Sequence, residues 1–327
     1  MSKIVVNLLG WNHKYLLKKC IDSVLAQSYK DFELVYMDNA SSDGSAEFVK
    51  NNYPSIRIIA NNSNLGYAGG HNKFFSEIDR EFLMVLNPDV QMFPDYLKEA
   101  IKGFEDEKVS AVMGKLLRPS SRVVDSTGII INLARRGRDR GQWEEDKGQY
   151  DNQIKIFGVN GAASIFRKSA LERIKMPKLS ARNSVPGTQY EYFDEDFFAY
   201  WEDLDLSWRL NLAGYECRFV PSAVAYHERN AGQSKGGYKK VFSFFKHHRK
   251  LPAGVKKWNW KNHLFCIIKN DFKLYKSLPF ILLREFAMFI YILVFEAATF
   301  SALPEFFKQL PKMLKKRKYI KQNIINA

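Results

Sequence analysis

The chain has 327 residues, of which 46% are hydrophobic and 14% aromatic, and its formal net charge is +15. This length and composition exclude a disordered chain and allow one large domain or two modest ones with an ample core. The three cysteines, Cys20, Cys217 and Cys266, lack the spacing of a zinc site or a disulfide framework, so a reducing compartment is expected.

Short apolar segments alternate with amphipathic segments along the first 90 residues. This alternation favours right-handed βαβ units and a mostly parallel sheet. Neither Gly-x-Gly-x-x-Gly after the first strand nor Gly-x-x-x-x-Gly-Lys-Ser/Thr occurs, which argues against a dehydrogenase or a P-loop enzyme. The pattern predicts strands at residues 4–9, 32–37, 56–59 and 82–86, helices at 16–25 and 46–51, and a glycine-rich loop at 61–72.

Polar residues follow the predicted strands. They are Asn12, Asp38, the segment 64–72 and the segment 87–89. Because the carboxyl ends of parallel strands meet at one edge of a sheet, these residues predict a polar pocket there. Asp38 is suited to accept a hydrogen bond from a pyrimidine imide.

The fourth strand ends in Asn87-Pro88-Asp89. Pro88 removes a backbone donor and fixes φ, so it ends the strand and holds Asp89 in a rigid corner beside the predicted pocket. An ordinary turn is the alternative, since all three residues are common in turns.

The middle of the chain predicts a helix at 96–104, a strand at 111–114 and an irregular polar region at 118–153. Arginines at 135, 136, 138 and 140 could close over a diphosphate as a mobile loop, although a solvated loop is favoured. The small residues of 158–163 would allow the backbone to approach a ligand closely.

A second acidic cluster precedes a helix that is predicted to begin near Glu202 or Asp203. Carboxylates in a first turn stabilise a helix, so a structural role is open to each of them. Asp205 and Arg209 have the i,i+4 spacing of a surface or semi-buried ion pair, whereas Ser207 stands at that position relative to Asp203. Asp203 is therefore the candidate for proton transfer.

The last strand is predicted around 214–221 and is followed by His227. A single histidine is more often a hydrogen-bonded core residue than a ligand, so spacing alone leaves its role open.

From Lys235 onward the chain has 20 Lys and Arg against 4 Asp and Glu, a net charge of +16. Aromatic residues are interleaved, and an apolar stretch at 278–303 is interrupted by Arg284, Glu285 and Glu296. Its uninterrupted part, 286–295, is too short to span a bilayer, which favours a helix lying at an anionic membrane surface. Packing on the first domain, a homo-oligomer interface or single-stranded nucleic-acid binding are alternatives, and the neutral, carboxylate-rich front argues against nucleic acid.

Taken together in order, five of these elements resemble family 2 of the inverting glycosyltransferases, and within it the bacterial rhamnosyltransferases of surface polysaccharide. The resemblance covers about residues 3–235 and implies an α/β GT-A fold at 1–235, with a helical C-terminal extension at 236–327. The elements are 38–45, 64–66, 87–89, 197–206 and His227.

The resemblance also implies roles for individual residues. Asp203 resembles the catalytic base, and Asp89 with His227 resembles the site of a divalent cation, Mg²⁺ or Mn²⁺. Asn87 departs from the pattern, because many relatives have Asp there. The residues expected to bind the donor are Asn12, Asp38, Asn39, Asn64, Gly66, Asn72, Asn87 and Asp89.

The expected function is transfer of L-rhamnose from dTDP-rhamnose to a hydroxyl of a growing, lipid-linked surface glycan. Galactofuranosyl, glucosyl or N-acetylglucosaminyl transfer from a dTDP- or UDP-sugar is the alternative. The first residues lack an apolar segment long enough for a signal peptide, so we expect a cytoplasmic enzyme, peripheral on the inner face of the membrane.

Overall fold

A computed structural model describes residues 3–179, 189–229 and 251–326. Its core is a ten-stranded sheet in these residues, with helices on both sides. The strands are β1 Ile4–Gly10, β2 Phe32–Asp38, β3 Arg57–Ala60, β4 Phe82–Leu86, β5 Val90–Met92, β6 Val109–Leu117, β7 Val124–Ser126, β8 Ile129–Ile131, β9 Gly137–Asp139, β10 Lys155–Ile156, β11 Ala163–Arg167, β12 Met176–Pro177, β13 Tyr190–Glu191 and β14 Glu216–His227.

The helices of the described residues fall into two groups, one in the α/β part and one near the C-terminus. The first group is α1 Lys14–Leu25, α2 Ser45–Asn52, α3 Gly66–Glu77, α4 Tyr96–Lys102, α5 Lys168–Ile174 and α6 Glu202–Leu212. The second group is α7 Ala253–Asn270, α8 Leu274–Phe295 and α9 Leu303–Ile320, with a short 3-10 helix at Ala297–Ala302.

The central sheet has the order β10-β14-β6-β11-β4-β1-β2-β3. Strands β1 to β4 are parallel to their neighbours among themselves, and β14 is parallel to β6, whereas β11 runs antiparallel between β4 and β6. The predicted mostly parallel α/β sheet is confirmed. All residues of β1 and β4 are buried, as expected for strands covered by helices on both faces.

The prediction of a loop at 61–72 is wrong from Gly66 onward, because α3 begins there. Glycines disfavour helices, but here the absence of side chains permits close packing. A Cβ atom at Gly70 would lie 2.7 Å from Leu9 Cδ1 on β1. Tertiary packing therefore outweighs local propensity in this helix.

The region 118–153 is not the solvated loop that its composition favoured. It contains β7 to β9, and Arg140 is 6% exposed, with its guanidinium donating to the carbonyls of Thr127 (2.9 Å) and Gln153 (2.8 Å). Arg135 forms an ion pair with Asp271 near the end of α7 (2.7 Å). These two arginines are structural.

The C-terminal helices are joined to the α/β part by buried ion pairs. Lys316 on α9 contacts Asp194 (2.5 Å) and Asp196 (2.8 Å), and Lys269 on α7 contacts Asp194 and Asp205. Both lysine side chains are fully buried or nearly so. The expected boundary between residues 235 and 236 lies outside the described residues.

Helix α8 has 22 residues and is long and apolar enough to cross a membrane, judged by length and composition. One narrow stripe, which includes Ser277, Ile281 and Ile292, is buried against the protein. Arg284 and Glu285, in the middle of the helix, also face the protein, since both contact His263 on α7, whereas Lys276 in the first turn is exposed. The exposed face therefore has no charged interruption between Leu278 and Phe295.

Candidate active site

Asp38 lies at the end of β2, paired in register with Gly10 of β1. Its Oδ1 accepts a hydrogen bond from the Tyr36 hydroxyl (3.0 Å), and its Oδ2 accepts one from the backbone N–H of Ser41 (2.9 Å). These bonds fix the carboxylate while each oxygen keeps a second lone pair for a ligand.

Asn12 and Asn39 flank Asp38 at the same edge of the sheet. Asn12 adopts a positive φ of 56°, and its Oδ1 accepts from the backbone N–H of Ser42 (2.8 Å). Asn39 donates to the carbonyl of Gly66 (3.0 Å) and thereby links β2 to the start of α3. The structure thus brings the ends of β1 and β2 and the start of α3 together.

Asn64 and Gly66 form the turn into α3. The Asn64 side chain accepts from the backbone N–H of Gly66 (2.8 Å), and Gly66 has a φ of +71°. A Cβ atom at Gly66 would lie 2.6 Å from the carbonyl oxygen of Phe198. Glycine is needed here because the loop before Asp203 packs directly against this backbone.

The expectation that Asn72 contacts the nucleotide is not supported. Asn72 is buried in α3, where its Nδ2 donates to Phe193 O (2.8 Å) and Glu195 Oε1 (3.0 Å). Its Oδ1 accepts from the backbone N–H groups of Tyr192 and Phe193. All four hydrogen-bonding positions of the amide are therefore used within the protein.

Asn87 and Asp89 follow β4 as predicted. The backbone N–H of Asn87 donates to the carbonyl of Ala162 (2.8 Å), which places this corner beside the start of β11. Asp89 Oδ1 is buried without a hydrogen bond in the described residues and lies 3.4 Å from His227 Nε2. These two predicted metal ligands are thus brought together.

A fully buried carboxylate, that of Asp125, binds the His227 ring nitrogen that does not face Asp89. His227 Nδ1 lies 2.7 Å from Asp125 Oδ2, and Arg229 Nε lies 3.2 Å from the same oxygen. Burial opposes the charged imidazole, but the hydrogen bond to Asp125 and the negative charges of Asp89 and Asp125 outweigh it and raise the pKa of His227 to about 9.

The donor set suits a divalent cation that is shared with a diphosphate. Described residues contain no group of three His, Cys, Asp or Glu side chains that would hold a metal unaided. However, Mg²⁺ is commonly held by one or two carboxylates together with substrate phosphates. The orphaned Asp89 oxygen faces an imidazole whose other nitrogen is bound to a carboxylate, an arrangement typical of metal-binding histidines.

Asp203 stands in the first turn of α6, as predicted, and is half-buried. Its Oδ2 accepts from the backbone N–H of Gly161 (3.2 Å) and its Oδ1 from that of Leu204 (2.7 Å). Burial, followed by the negative charge of Asp139, raises the pKa of Asp203 to about 6. A carboxylate with this pKa is ionised at neutral pH and is a competent general base.

Two acidic residues near Asp203, Glu202 and Asp205, are both buried but differ in charge state and in ion pairing. Glu202 is buried, and this burial, followed by the charge of Asp203, raises its pKa to about 8, so it is largely protonated at neutral pH. Asp205 forms the predicted pair with Arg209 (3.1 Å), but the pair is fully buried rather than at the surface.

Four site residues were missed by sequence reasoning: Asp125, Asp139, Asn160 and Arg229. Arg229 Nη1 contacts Asp139 (2.6 Å), and Asn160 donates to the other oxygen of Asp139 (2.8 Å). Together with Asp125 they form a continuous set of contacts from the Asp89–His227 pair to the surroundings of Asp203. The two-residue spacing of His227 and Arg229 was the only signal available for any of them.

The model of glycosyl transferase family 2 matches residues 11–175, half of the chain, and the protein belongs to this family. It is therefore a glycosyltransferase, as the motifs predicted.

Two relatives are similar over about two thirds of the chain. N-acetylglucosaminyl-diphospho-decaprenol L-rhamnosyltransferase of Mycobacterium tuberculosis (strain CDC 1551 / Oshkosh) is 26% identical over 232 residues, 65% of this chain and 72% of the relative. Poly-beta-1,6-N-acetyl-D-glucosamine synthase of Staphylococcus epidermidis is 24% identical over 230 residues, 67% of this chain but 48% of the synthase.

Two solved structures share the fold. The mannosyltransferase PcManGT of Pyrobaculum calidifontis, in complex with GDP-Man and Mn²⁺, matches 98% of this chain and 85% of its own, with a TM-score of 0.50 and 16% identity. TarS of S. aureus matches 83% of this chain and 49% of its own, with a TM-score of 0.51 and 15% identity. The predicted GT-A fold with a helical C-terminal region is confirmed.

Proposed function

We propose that this glycosyltransferase moves a sugar, with inversion, from a pyrimidine nucleotide donor to a glycan hydroxyl, with Asp203 as the base. One observation carries the proposal. Asp203 accepts from Gly161, and the next residue, Ala162, accepts from Asn87, so the base and the Asp89 corner share one short backbone segment.

The proposed reaction transfers one proton to Asp203, forms one glycosidic bond and breaks the bond to the diphosphate. Asp203 takes the proton of the acceptor hydroxyl as that oxygen attacks the anomeric carbon of the donor sugar. The bond between the anomeric carbon and the diphosphate oxygen breaks, and the nucleoside diphosphate leaves with the electron pair. Attack opposite the leaving group inverts the anomeric centre.

The donor is proposed to lie along the strand ends from Asp38 to Asp89. Asp38 accepts a hydrogen bond from the pyrimidine imide, and Asn12, Asn39, Asn64 and Gly66 shape the adjoining recess. Asn72 is not among the proposed donor-binding residues, because its amide is fully hydrogen-bonded to residues 192–195.

Asp89 and His227 would hold Mg²⁺ or Mn²⁺ against the diphosphate, with Asn87 beside them. A divalent cation supplies charge stabilisation to the departing diphosphate. The mannosyltransferase PcManGT, which holds Mn²⁺ together with GDP-Man, is consistent with this assignment.

L-rhamnose from dTDP-rhamnose is the proposed donor sugar, and a polyprenyl-diphosphate-linked glycan the acceptor. The name of the Mycobacterium tuberculosis relative supports both. Its identity of 26% leaves the other sugars as competitors, N-acetylglucosamine above all, since the Staphylococcus epidermidis synthase makes a polymer of it.

The C-terminal helices are proposed to attach the enzyme peripherally to an anionic membrane surface, where a lipid-linked acceptor would be met. The outer face of α8 presents large apolar side chains, among them Leu283 (71% exposed) and Phe286 (66%). Exposed lysines precede α8, lie in its first turn and follow it along the chain, and each could contribute about 1 kcal/mol near an anionic leaflet. These are Lys273, Lys276, Lys308, Lys315, Lys318 and Lys321.

Donor identity is tested by thermal shift with a panel of dTDP-, UDP- and GDP-sugars, with and without Mn²⁺, followed by product analysis of the best binder. We expect dTDP-rhamnose with Mn²⁺ to raise Tm most. A larger shift with a GDP-sugar would contradict the assignment of Asp38 to a pyrimidine.

Membrane attachment is tested by flotation with anionic and with neutral vesicles at low salt. The double variant Leu283→Glu/Phe286→Glu should lose binding to the anionic vesicles. The control Tyr15→Glu alters a residue that is 72% exposed on α1 and should bind like wild type. Wild-type protein that stays in the unbound fraction would overturn the attachment.

A further inference from the structure

The five residues 197–201, which we name the base turn, lead directly into Glu202 and Asp203. Phe198, Tyr200 and Trp201 have positive φ values of 61°, 70° and 78°. Bulky residues rarely adopt this conformation, and each instance costs of order 1–3 kcal/mol unless the surroundings enforce it. Something must therefore hold the base turn in place.

Asn262 on helix α7 fixes the base turn through hydrogen bonds to its backbone. Its Nδ2 lies 3.0 Å from Phe197 O, 3.1 Å from Ala199 O and 2.9 Å from Tyr200 O. Asn262 is fully buried, so water cannot replace these bonds. One side chain of the C-terminal region thus contacts three of the five carbonyls of the base turn.

The same turn contacts the start of α3, which belongs to the proposed donor-binding residues. The carbonyl of Phe198 accepts from the backbone N–H of Tyr67 (3.0 Å), and its oxygen abuts Gly66. The Tyr67 hydroxyl in turn donates to the carbonyl of Gly161 (2.6 Å), whose N–H binds Asp203. The base turn is therefore fixed between the donor recess and α7.

A purely structural role for Asn262 would stabilise α7 without affecting the reaction. The geometry supports an effect on the position of Asp203 as well. All three carbonyls belong to the base turn, and that turn ends at the residue directly before Glu202. Among the described residues, the other hydrogen bonds of α7 with the base turn involve only Trp201: Asn259 Oδ1 accepts from its indole N–H (3.1 Å), and Cys266 Sγ lies 3.7 Å from its carbonyl oxygen.

We propose that Asn262 is a positioning residue of the transferase site, which holds the base turn so that Asp203 faces the acceptor hydroxyl. This inference rests on the proposed role of Asp203 as the base. The C-terminal region then contributes to catalysis as well as to attachment, and removing it would impair the active site even in a soluble assay.

The test compares Asn262→Leu with Asn211→Leu in the full chain. Asn211 on α6 is a matched control, because its Nδ2 also donates to two backbone carbonyls, those of Phe157 (2.6 Å) and Ser207 (2.7 Å), away from the base turn. The readouts are Tm, donor Kd, kcat, and kcat as a function of pH.

For Asn262→Leu we expect kcat to fall at least ~10-fold, since small displacements of a catalytic group are costly, while donor Kd changes little. The acid limb of the kcat profile should move, because a relaxed turn changes the surroundings of Asp203 relative to Asp139, Glu202 and Arg229. Asn211→Leu should keep wild-type kcat and pH profile even where its Tm falls.

Wild-type kcat and pH profile in Asn262→Leu, measured below its Tm, would overturn the inference. So would an equal loss of kcat in Asn211→Leu. If the leucine variant does not fold, Asn262→Ala removes the same donor without added bulk and carries the same expectations. Impaired Asp203→Asn with normal Asn262→Leu refutes the positioning role alone, whereas normal Asp203→Asn refutes the proposed base.

Discussion

Asp203 Oδ2 lies 3.2 Å from the backbone nitrogen of Gly161, and this hydrogen bond joins the proposed base to the segment just before β11. The next residue, Ala162, binds the backbone of Asn87 (2.8 Å). The segments that hold the acidic residues at 89 and 203, far apart in sequence, therefore bind to adjacent residues of one backbone segment, and the proposed reaction depends on that arrangement.

The first prediction concerns pH. Burial, followed by the charge of Asp139, raises the pKa of Asp203 to about 6, and a base works only when ionised, so kcat/KM should rise with pH through about 6 and level off above it. Asp139→Asn removes the negative neighbour and should move this limb to lower pH. An unchanged limb in that variant would show that another group controls the profile.

The second prediction concerns base recognition. Asp38→Asn removes the negative charge of the group proposed to accept a hydrogen bond from the pyrimidine imide N–H, so donor Kd should rise about 10-fold, the cost of a charge-assisted hydrogen bond, with kcat little changed. The control is Asp43→Asn in the same turn, where the carboxylate binds the backbone N–H groups of Lys14 and Ser45. Calorimetry with dTDP and UDP measures both, and equal Kd values for Asp38→Asn and wild type would exclude this role.

The third prediction concerns the cation. Chelation of the cation should stop turnover, and added Mn²⁺ should restore it. Asp125→Asn should weaken Mn²⁺ binding about 10–100-fold, because Asp125 orients the His227 ring. Direct Mn²⁺ titration by electron paramagnetic resonance, in the presence of dTDP, gives the affinity independently of activity. The control is Asp95→Asn at an exposed position. Full activity in the presence of chelator would show that the reaction does not require a divalent cation.

The fourth prediction concerns stability. Lys316→Met removes the buried cation that Glu191, Asp194 and Asp196 share, and although Lys269 and Lys312 still contact the two aspartates, the loss should cost about 3–5 kcal/mol in the free energy of unfolding. Lys315→Met, one residue earlier and exposed, should change it by less than about 0.5 kcal/mol. Denaturant unfolding of both variants measures the difference, and equal stabilities would show that the ion cluster is not structural.

The sequence was informative where local pattern decides structure. The apolar strands, the start of α6 at Glu202 and the Asp205–Arg209 pair followed from spacing and propensity. Gly66–Asn72 was misjudged as loop, because each glycine costs about 1 kcal/mol in an isolated helix and the compensating contact of Gly70 with Leu9 is long-range.

The charges of the C-terminal region were misjudged for a similar reason. A basic run indicates a solvated or membrane-facing surface, yet Lys269 and Lys316 are buried against carboxylates of the α/β part. No local signal reveals such pairs, because the partners lie more than 60 residues apart in the chain. Asp125 and Asp139 were missed in the same way, since they become site residues only through contacts with His227 and Arg229.

The most direct test of the account compares Asp203→Asn with Glu202→Gln. The two substitutions are adjacent and chemically alike, but Glu202 is largely protonated at neutral pH, so glutamine resembles its native state. Asparagine at 203 instead removes the base.

The measurement is kcat at pH 7 together with donor Kd for both variants. We predict that Asp203→Asn lowers kcat about 10²–10⁴-fold with donor Kd near wild type, whereas Glu202→Gln keeps most of the rate. Wild-type kcat in Asp203→Asn, or the larger loss in Glu202→Gln, would contradict the assignment of Asp203 as the catalytic base.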